Sequence, residues 1–241
     1  MPSPHDNWAN YYDFVYERTF GQLYSSFTQT TINVIHELQQ GGTVLDFGAG
    51  TGRMSIPLAQ SGYKVIAIDM SIPMAEVLRQ KAIELNLTIE THNCSIQKYN
   101  NGKADLALCL FTVLSYAITE IELKKIIKNI AKHLNFNGYF FFDLPTSAFF
   151  QHTRLINHNS NGLNRIVDIF PENQPDVYKY QEDCCGSING LDFEYTASFP
   201  IRYWNPNFVN KILQDEGFVK THKDLSQFNN TGATYMIYQK K

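Results

Sequence analysis

The chain has 241 residues, 44% of them hydrophobic, and a formal net charge of −3. A chain of that length and apolar content can bury one full α/β core, so a single domain over 1–241 is expected. The mild acidic balance, with no basic run longer than Lys124-Lys125 or Lys240-Lys241, speaks against a nucleic-acid partner.

The start, Met-Pro-Ser-Pro-His-Asp-Asn, has neither the charged head nor the apolar core of a signal peptide, and no run reaches transmembrane length. No membrane partner and a cytoplasmic location are therefore expected. Of the cysteines, Cys94 and Cys109 fall inside expected sheet elements, and Cys184 and Cys185 are adjacent, a poor geometry for a disulfide. There is no C-x-x-C, and His152 and His158 read as solvated loop residues without a third ligand, so no metal is expected.

Residues Trp8 to Tyr16 are dense in aromatics, and a helix is expected from about Thr28 to Leu38. Thr43 to Phe47 is an apolar β-type run that feeds Gly48, Gly50 and Gly52, followed by an amphipathic stretch from Arg53. Strand, glycine turn, helix is the arrangement that brings a backbone against an adenosine-containing cofactor. The spacing separates possible ligands. Arg53 stands where the dinucleotide fingerprint G-x-G-x-x-G wants its last glycine, and Asp46 would repel a pyrophosphate. The same carboxylate suits a ligand bearing an ammonium group and a sulfonium. No Gly-Lys-Ser/Thr follows, which excludes a Walker loop.

A second strand, Lys64 to Ile68, ends in Asp69, placed where Rossmann-like sheets keep an acid for ribose hydroxyls, about 20 residues after the glycine loop. A helix opens at Met70-Ser71, with Ser71 as N-cap, and runs to about Asn86. The third strand, Thr88 to Thr91, leads to His92-Asn93-Cys94-Ser95. Asp105 to Phe111 is almost continuously apolar, as a strand covered on both faces should be. Helical periodicity runs from Glu120 to Leu134, and a turn at Asn137-Gly138 precedes the strand Tyr139 to Asp143.

The D-x-G-x-G-x-G pattern in Val44-Leu45-Asp46-Phe47-Gly48-Ala49-Gly50-Thr51-Gly52-Arg53 resembles the first motif of the class I S-adenosylmethionine-dependent methyltransferases. Further matches follow in order to about Asp143, so the resemblance covers under half the chain. It implies S-adenosylmethionine as cofactor. It also implies a Rossmann-like seven-stranded, mostly parallel sheet with helices on both faces, an antiparallel C-terminal hairpin and a small antiparallel β insertion.

By the same resemblance Asp46, Gly48, Ala49, Gly50, Gly52 and Arg53 cradle the amino-acid tail of the cofactor, and Asp69 takes its ribose. Met70 and Met74 pack on the adenine, although Met74 also reads as an ordinary core residue. Asn93 stands where the family usually carries an acid that receives the adenine amino group, with Ser95 as the alternative. The backbone of Cys94 addresses the ring edge. Phe111 opens a loop, to Tyr116, that lines the donor and acceptor sites. Tyr12-Asp13-Phe14-Val15-Tyr16 matches a Tyr-Asp-x-x-Tyr segment that many members fold over the cofactor, with either Tyr12 or Tyr16 near the sulfonium. The alternative is that these aromatics only pack the first helix on the sheet.

Residues 150–164 read as polar loop. Strand-like pieces follow at Asn164 to Phe170, Val177 to Asp183 and Leu191 to Phe199, separated by hairpin chemistry. A helix from Phe208 to Glu216 closes at Gly217, and Phe218 to Leu225 and Thr234 to Gln239 form the last two strands. The expected divisions are an N-terminal cap (1–40), a cofactor core (41–145), an insertion that shapes the acceptor site (146–203) and a terminal unit (204–241). Tyr116, Asp143 and Arg202 are the catalytic candidates, with Tyr203 and Trp204 as further acceptor-facing residues. Asp143 has the alternative of capping a loop, and Arg202 that of pairing with an acid across the sheet.

The expected reaction is in-line methyl transfer to nitrogen or oxygen of a small-molecule acceptor. No convincing His–Asp pair is visible, which leans toward N-methylation or proximity-driven O-methylation. A non-catalytic S-adenosylmethionine-binding protein and a nicotinamide-dependent dehydrogenase remain as alternatives. Monomer and homodimer are both open.

Overall fold

The structure is a computed structural model and describes residues 3–241. The chain builds two sheets. The larger has seven strands in the order β10-β11-β5-β4-β1-β2-β3, and the smaller has four in the order β6-β7-β8-β9.

At the centre of the large sheet lies β1 (Thr43–Phe47), parallel to β2 (Lys64–Asp69) on one side and to β4 (Ala104–Cys109) on the other. β3 (Ile89–Asn93) extends the β2 side, and β5 (Leu134–Pro145) the β4 side. The chain therefore changes direction between β1 and β4, and open α/β sheets bind ligands at the carboxyl ends of the strands flanking such a switch.

Alternate residues of the central strands enter two different cores, as a pleat with both faces covered requires. Leu45, Phe47, Ile66, Ile68, Phe140 and Phe142 meet Leu123, Ile126, Ile127 and Ile130 of α5 (Glu120–His133) and Val209, Ile212 and Leu213 of α6 (Pro206–Asp215). Val44, Val65, Leu106, Leu108, Phe141 and Ile237 face Ile32 and Ile35 of α2 (Gln22–Leu38) and Leu58 of α3 (Ser55–Gln60). Leu78 of α4 (Ile72–Glu84) packs on Ala49 and Ala67. The expected Rossmann-like sheet with helices on both faces is what the chain forms.

Several boundaries differ from the sequence reading, each for a physical reason. Before α2 lie a 3-10 turn, Asp6–Tyr11, and α1 (Tyr12–Phe20). The helix expected from Thr28 begins at Gln22. Its added residues carry Ser25 and Ser26 and leave Leu23 exposed, which weakens the apolar period, yet Tyr24 anchors them in the core and Thr28 bonds back to the Tyr24 carbonyl. The stretch read as polar loop contains β6 (Arg154–Ser160), antiparallel to β7 (Leu163–Pro171). An edge strand needs little apolar content when one neighbour supplies its hydrogen bonds, and Arg154 is bonded to Asp168 across the pair (Nε to Oδ1 2.6 Å).

β8 (Val177–Ile188) and β9 (Leu191–Arg202) run longer than expected and meet at Asn189-Gly190, with both residues at positive φ (52° and 80°). That is the backbone a two-residue hairpin needs to match strand twist. At the far end, β10 is only Phe218–Lys220, paired antiparallel with β11 (Ala233–Lys240), which lies antiparallel against β5. The run to Leu225 does not continue the strand because Leu225 and Phe228 turn away to join the core under α2.

The inner face of the small sheet presents Leu163, Phe193, Tyr195, Ala197, Phe199 and Ile201 to Trp8 and Val15, so the N-terminal segment lies against it. Among the described residues, no helix is long and apolar enough to cross a membrane.

Candidate active site

The loop after β1 is fixed first by its own backbone. Gly48 and Ala49 N–H groups both donate to the Ile68 carbonyl (2.8 and 3.2 Å), which folds the loop over the end of β2. A Cβ on Gly48 would stand 2.5 Å from Val113, and one on Gly52 would run into Leu78. Gly50, at φ +55°, is different: a Cβ there would meet nothing within 4 Å. The outer glycines thus serve packing, while the middle one leaves the face of the loop open.

Two carboxylates flank this loop. Asp46 is buried, accepts from Ser55 Oγ (2.6 Å), and is pushed up to about 6 by burial, with the Ser55 hydrogen bond and Arg53 opposing. Asp69 accepts from the N–H of Gly50 on one oxygen and of Ser71 on the other, both at 2.8 Å. Burial raises its pKa, against those donors. Each Asp69 oxygen has one backbone donor, so lone pairs remain for other hydrogen bonds.

Arg53 turns its guanidinium over aromatic rings, with Cζ 4.5 Å from the Phe111 centroid and 5.3 Å from that of Tyr24. Phe111 and Thr112 adopt left-handed backbone (φ 71° and 67°). Asp143 explains it: its carboxylate accepts from both N–H groups, with Thr112 at 3.1 Å from Oδ2. The carboxyl is buried and pushed up to about 6, chiefly by desolvation. Of the two readings of Asp143, the structure displays the loop cap.

Over the loop lies the N-terminal segment. Asp13 accepts from Thr51 Oγ1 (2.8 Å) and pairs with Lys81 of α4, whose ammonium also donates to the Thr51 carbonyl (2.9 Å). Asp6 accepts from Ser71 Oγ (2.6 Å). These contacts set Tyr12 and Tyr16 as a stacked pair (4.5 Å between centroids), with Tyr16 edge-on to Phe111 at 5.3 Å. The glycine loop, Arg53, Asp69, Phe111, Tyr12 and Tyr16 are thereby brought together.

The other candidates lie around this group. Met70, just past Asp69, is 53% exposed, whereas Met74 is buried on the inner side of α4. Asn93 Nδ2 donates to the Asp69 carbonyl (3.0 Å), tying the ends of β2 and β3 together. Cys94 is half-buried, with its thiol pKa raised by burial. Tyr116 Oη is 2.8 Å from His5 Nε2. Arg202 pairs with no acid among the described residues. It stacks on Trp204 (4.3 Å) and donates to the Ile118 carbonyl (2.8 Å). Trp204 is buried and donates to the carbonyls of Leu114 and Ala117 (both 3.1 Å), so both side chains hold the turn that carries Tyr116. Tyr203 packs against Phe150 at 5.7 Å.

Sequence reasoning missed His5, Tyr24, the pairing of Asp13 with Lys81 and Thr51, and a buried ion pair. Arg165 and Glu182 are both buried and bonded through two contacts (2.7 and 3.2 Å), and Tyr180 and Tyr195 each donate to Glu182 (2.6 and 2.7 Å). Arg165 also lies over Tyr16 (4.5 Å) and reaches Thr19 Oγ1 (3.3 Å). A charged residue at an inward position of β7, between Leu163 and Val167, is the signal that was available. Buried polar side-chain atoms without partners among the described residues include Arg53 Nη2, Tyr24 Oη, Trp8 Nε1 and His5 Nδ1, which lie on the loop and the elements around it. Buried polar atoms are almost always hydrogen-bonded, so this cluster marks a place built to receive a polar ligand.

Residues 44–138 match a family model described as a methyltransferase domain. The cypemycin N-terminal methyltransferase of a Streptomyces species is 29% identical over 116 residues, and the chain spans about half of that protein (47%; 48% of this chain). An S-adenosylmethionine-dependent methyltransferase from Clostridium acetobutylicum ATCC 824 shares the fold with a TM-score of 0.80 at 18% identity, over 96% of this chain and 98% of that one. A sugar N-methyltransferase from Streptoalloteichus sp. ATCC 53650 does so with a TM-score of 0.74 at 17% identity, over 95% and 92%. Residues 44–138 thus carry a methyltransferase domain, and the sequence and fold matches together support a class I S-adenosylmethionine-dependent methyltransferase that uses S-adenosylmethionine.

Proposed function

We propose that this methyltransferase moves a methyl group to a nitrogen or oxygen of a small-molecule acceptor by in-line displacement. The observation that carries this reading is the convergence of the open face at Gly50, the Asp69 carboxylate and Arg53 Nη2, unpartnered among the described residues, under a segment of stacked tyrosines.

These residues fit the cofactor. Arg53 Nη2 and Tyr24 Oη offer donors to the carboxylate of its amino-acid tail, and Asp46 gives the loop the negative charge its ammonium favours. Gly48, Ala49, Gly50 and Gly52 shape the cradle. Asp69 has lone pairs left for the ribose hydroxyls, and Asn93, the Cys94 backbone and Met70 stand at the adenine end, with Met74 supporting them from beneath. Tyr12, Tyr16 and Phe111 cover the reacting end, where aromatic faces favour a cation. When bound, the cofactor supplies an electrophilic methyl group on a positive sulfur; the protein's part is to orient the acceptor and exclude water.

The N-terminal segment packs on the small sheet and is tied to Thr51 and Ser71, so the carboxyl edge of the large sheet is covered rather than presented as an open groove. That favours a small acceptor over a protein or RNA, and the sugar N-methyltransferase with the same fold is consistent with it. Incubation with S-adenosylmethionine carrying a labelled methyl group and a panel of small amines, phenols and carboxylates tests the proposal. Label is expected in an amine or phenol, and lost with Asp69→Ala. Cofactor binding without transfer to any member would contradict it.

A further inference from the structure

Resting on that reading, we infer that His5 is a catalytic base that takes the proton of a neutral hydroxyl acceptor, its ring held by Tyr116. The ring of His5 is enclosed by aromatic neighbours. Centroids lie 5.1 Å from Trp8, 6.0 Å from Tyr12, 5.7 Å from Tyr116 and 5.5 Å from Phe199. One nitrogen is used, since Nε2 is 2.8 Å from Tyr116 Oη. The other, Nδ1, is buried and has no partner among the described residues. With the ring hydrogen on Nε2 and donated to Tyr116, Nδ1 keeps a free lone pair. A lone pair left in an apolar wall is unfavourable as packing, but it is what a proton acceptor needs.

The imidazole is also kept neutral. Burial lowers its pKa to about 4, and the groups that face it divide in sign. Asp6 on its own segment and Glu182 on the small sheet raise it, while Arg165 lowers it. Tyr12 and Tyr116 are held neutral, their own pKa values pushed well above 10 by burial. So weak a base does not deprotonate a free hydroxyl. It accepts the proton as the oxygen commits its electrons to carbon, when the hydroxyl becomes strongly acidic.

The choice of a hydroxyl over an ammonium follows from the acids. Glu182 accepts four hydrogen bonds, from Arg165 twice and from Tyr180 and Tyr195. Asp143 is taken by Phe111 and Thr112, Asp46 by Ser55, and Asp13 by Thr51 and Lys81. Asp6 is taken by Ser3 and Ser71, and the lone pairs left on Asp69 are assigned to the ribose, so no carboxylate here is left free to hold a second cation beside a positive cofactor. A neutral hydroxyl on a flat apolar body suits the ring-lined wall. In the step, the acceptor oxygen bonds to the methyl carbon as the carbon–sulfur bond breaks, with that electron pair staying on sulfur. The hydroxyl proton passes to Nδ1, and the imidazolium returns it to water.

Nitrogen-15 histidine spectra of the full chain with S-adenosylhomocysteine test the geometry without turnover. Expected is an Nε2-protonated ring with Nδ1 bare, neutral down to about pH 5; a proton on Nδ1 overturns the proposal. Catechol as hydroxyl probe and 2-phenylethylamine as amine probe then test the chemistry. Transfer to catechol should fall about 10²-fold or more in His5→Gln, with the remaining rate rising with pH. Added imidazole should restore part of it in His5→Ala, and Tyr116→Phe should lose less. Methylation of the amine alone or of neither probe, an unchanged His5→Gln rate, or a loss that imidazole and pH leave unaltered each overturns it. Calorimetry separates the two levels. Wild-type protein that fails to bind S-adenosylhomocysteine sinks the methyltransferase reading, whereas binding with any of these failures sinks only the base.

Discussion

Gly50 and Gly52 stand two residues apart and answer to different constraints. At Gly52 a methyl group would strike Leu78 and the backbone is at φ +94°, so Gly52→Ala combines overpacking with strain. A loss of about 2–3 kcal/mol in urea unfolding is expected. Gly50→Ala meets no atom and carries only the left-handed penalty, about 1–2 kcal/mol. Its larger effect should be on calorimetric affinity for S-adenosylhomocysteine, because the added methyl enters the space the ligand needs. Equal affinity in the two variants would contradict this division of labour. The buried carboxyls make a second prediction. Asp46 and Asp143 are each raised from 3.8 to about 6, so the folded chain keeps protons that the unfolded chain has released between those values. Their stabilising contribution is complete below about pH 3.8 and is lost as pH rises through about 6. Unfolding free energy measured at pH 5, 6 and 7 should therefore fall more steeply with pH in the wild type than in Asp46→Asn.

Two fastenings hold the N-terminal segment between the sheets, and they differ in kind. Asp13 to Lys81 and Thr51 is half-exposed and joins α1 to the glycine loop. Pairs of that sort contribute about 1 kcal/mol or less, so Asp13→Asn should barely change global stability. It should instead weaken S-adenosylhomocysteine binding several-fold and speed proteolysis within residues 3–20, since the segment is tied to the glycine loop. The Arg165–Glu182 pair is fully buried and joins the same helix to the small sheet through Tyr16 and Thr19. Removing one partner leaves an uncompensated buried charge, so Arg165→Met alone should cost about 3–5 kcal/mol in denaturant unfolding. Arg165→Met with Glu182→Leu should recover part of that loss. A double variant no better than the single one would show that the charge is not what matters there.

Over the whole molecule, the large sheet and its cofactor were legible because a glycine turn after a buried strand leaves few alternatives. Asp46, Gly48, Gly50 and Gly52 occupy alternate positions of one short backbone path and Asp69 ends the next strand, so their spacing survives in the linear chain. The fastening of the N-terminal segment was less legible. Asp13 finds Lys81 and Thr51 across large sequence separations, and His5 finds Tyr116 only after both sheets are assembled. β6 escaped notice because an edge strand takes its stability from a neighbour's backbone rather than from its own apolar residues. Asp143 and Arg202 read equally well as chemistry or scaffolding in one dimension, since a polar residue's role depends on which unpaired groups it meets. The most direct test of the central claim is a crystal structure of the protein with S-adenosylhomocysteine. The ligand's amino-acid tail should lie along the turn from Asp46 to Arg53, with its ribose hydroxyls on Asp69. Ligand bound elsewhere, or a turn that remains closed by the chain's own side chains at saturating ligand, would contradict the account.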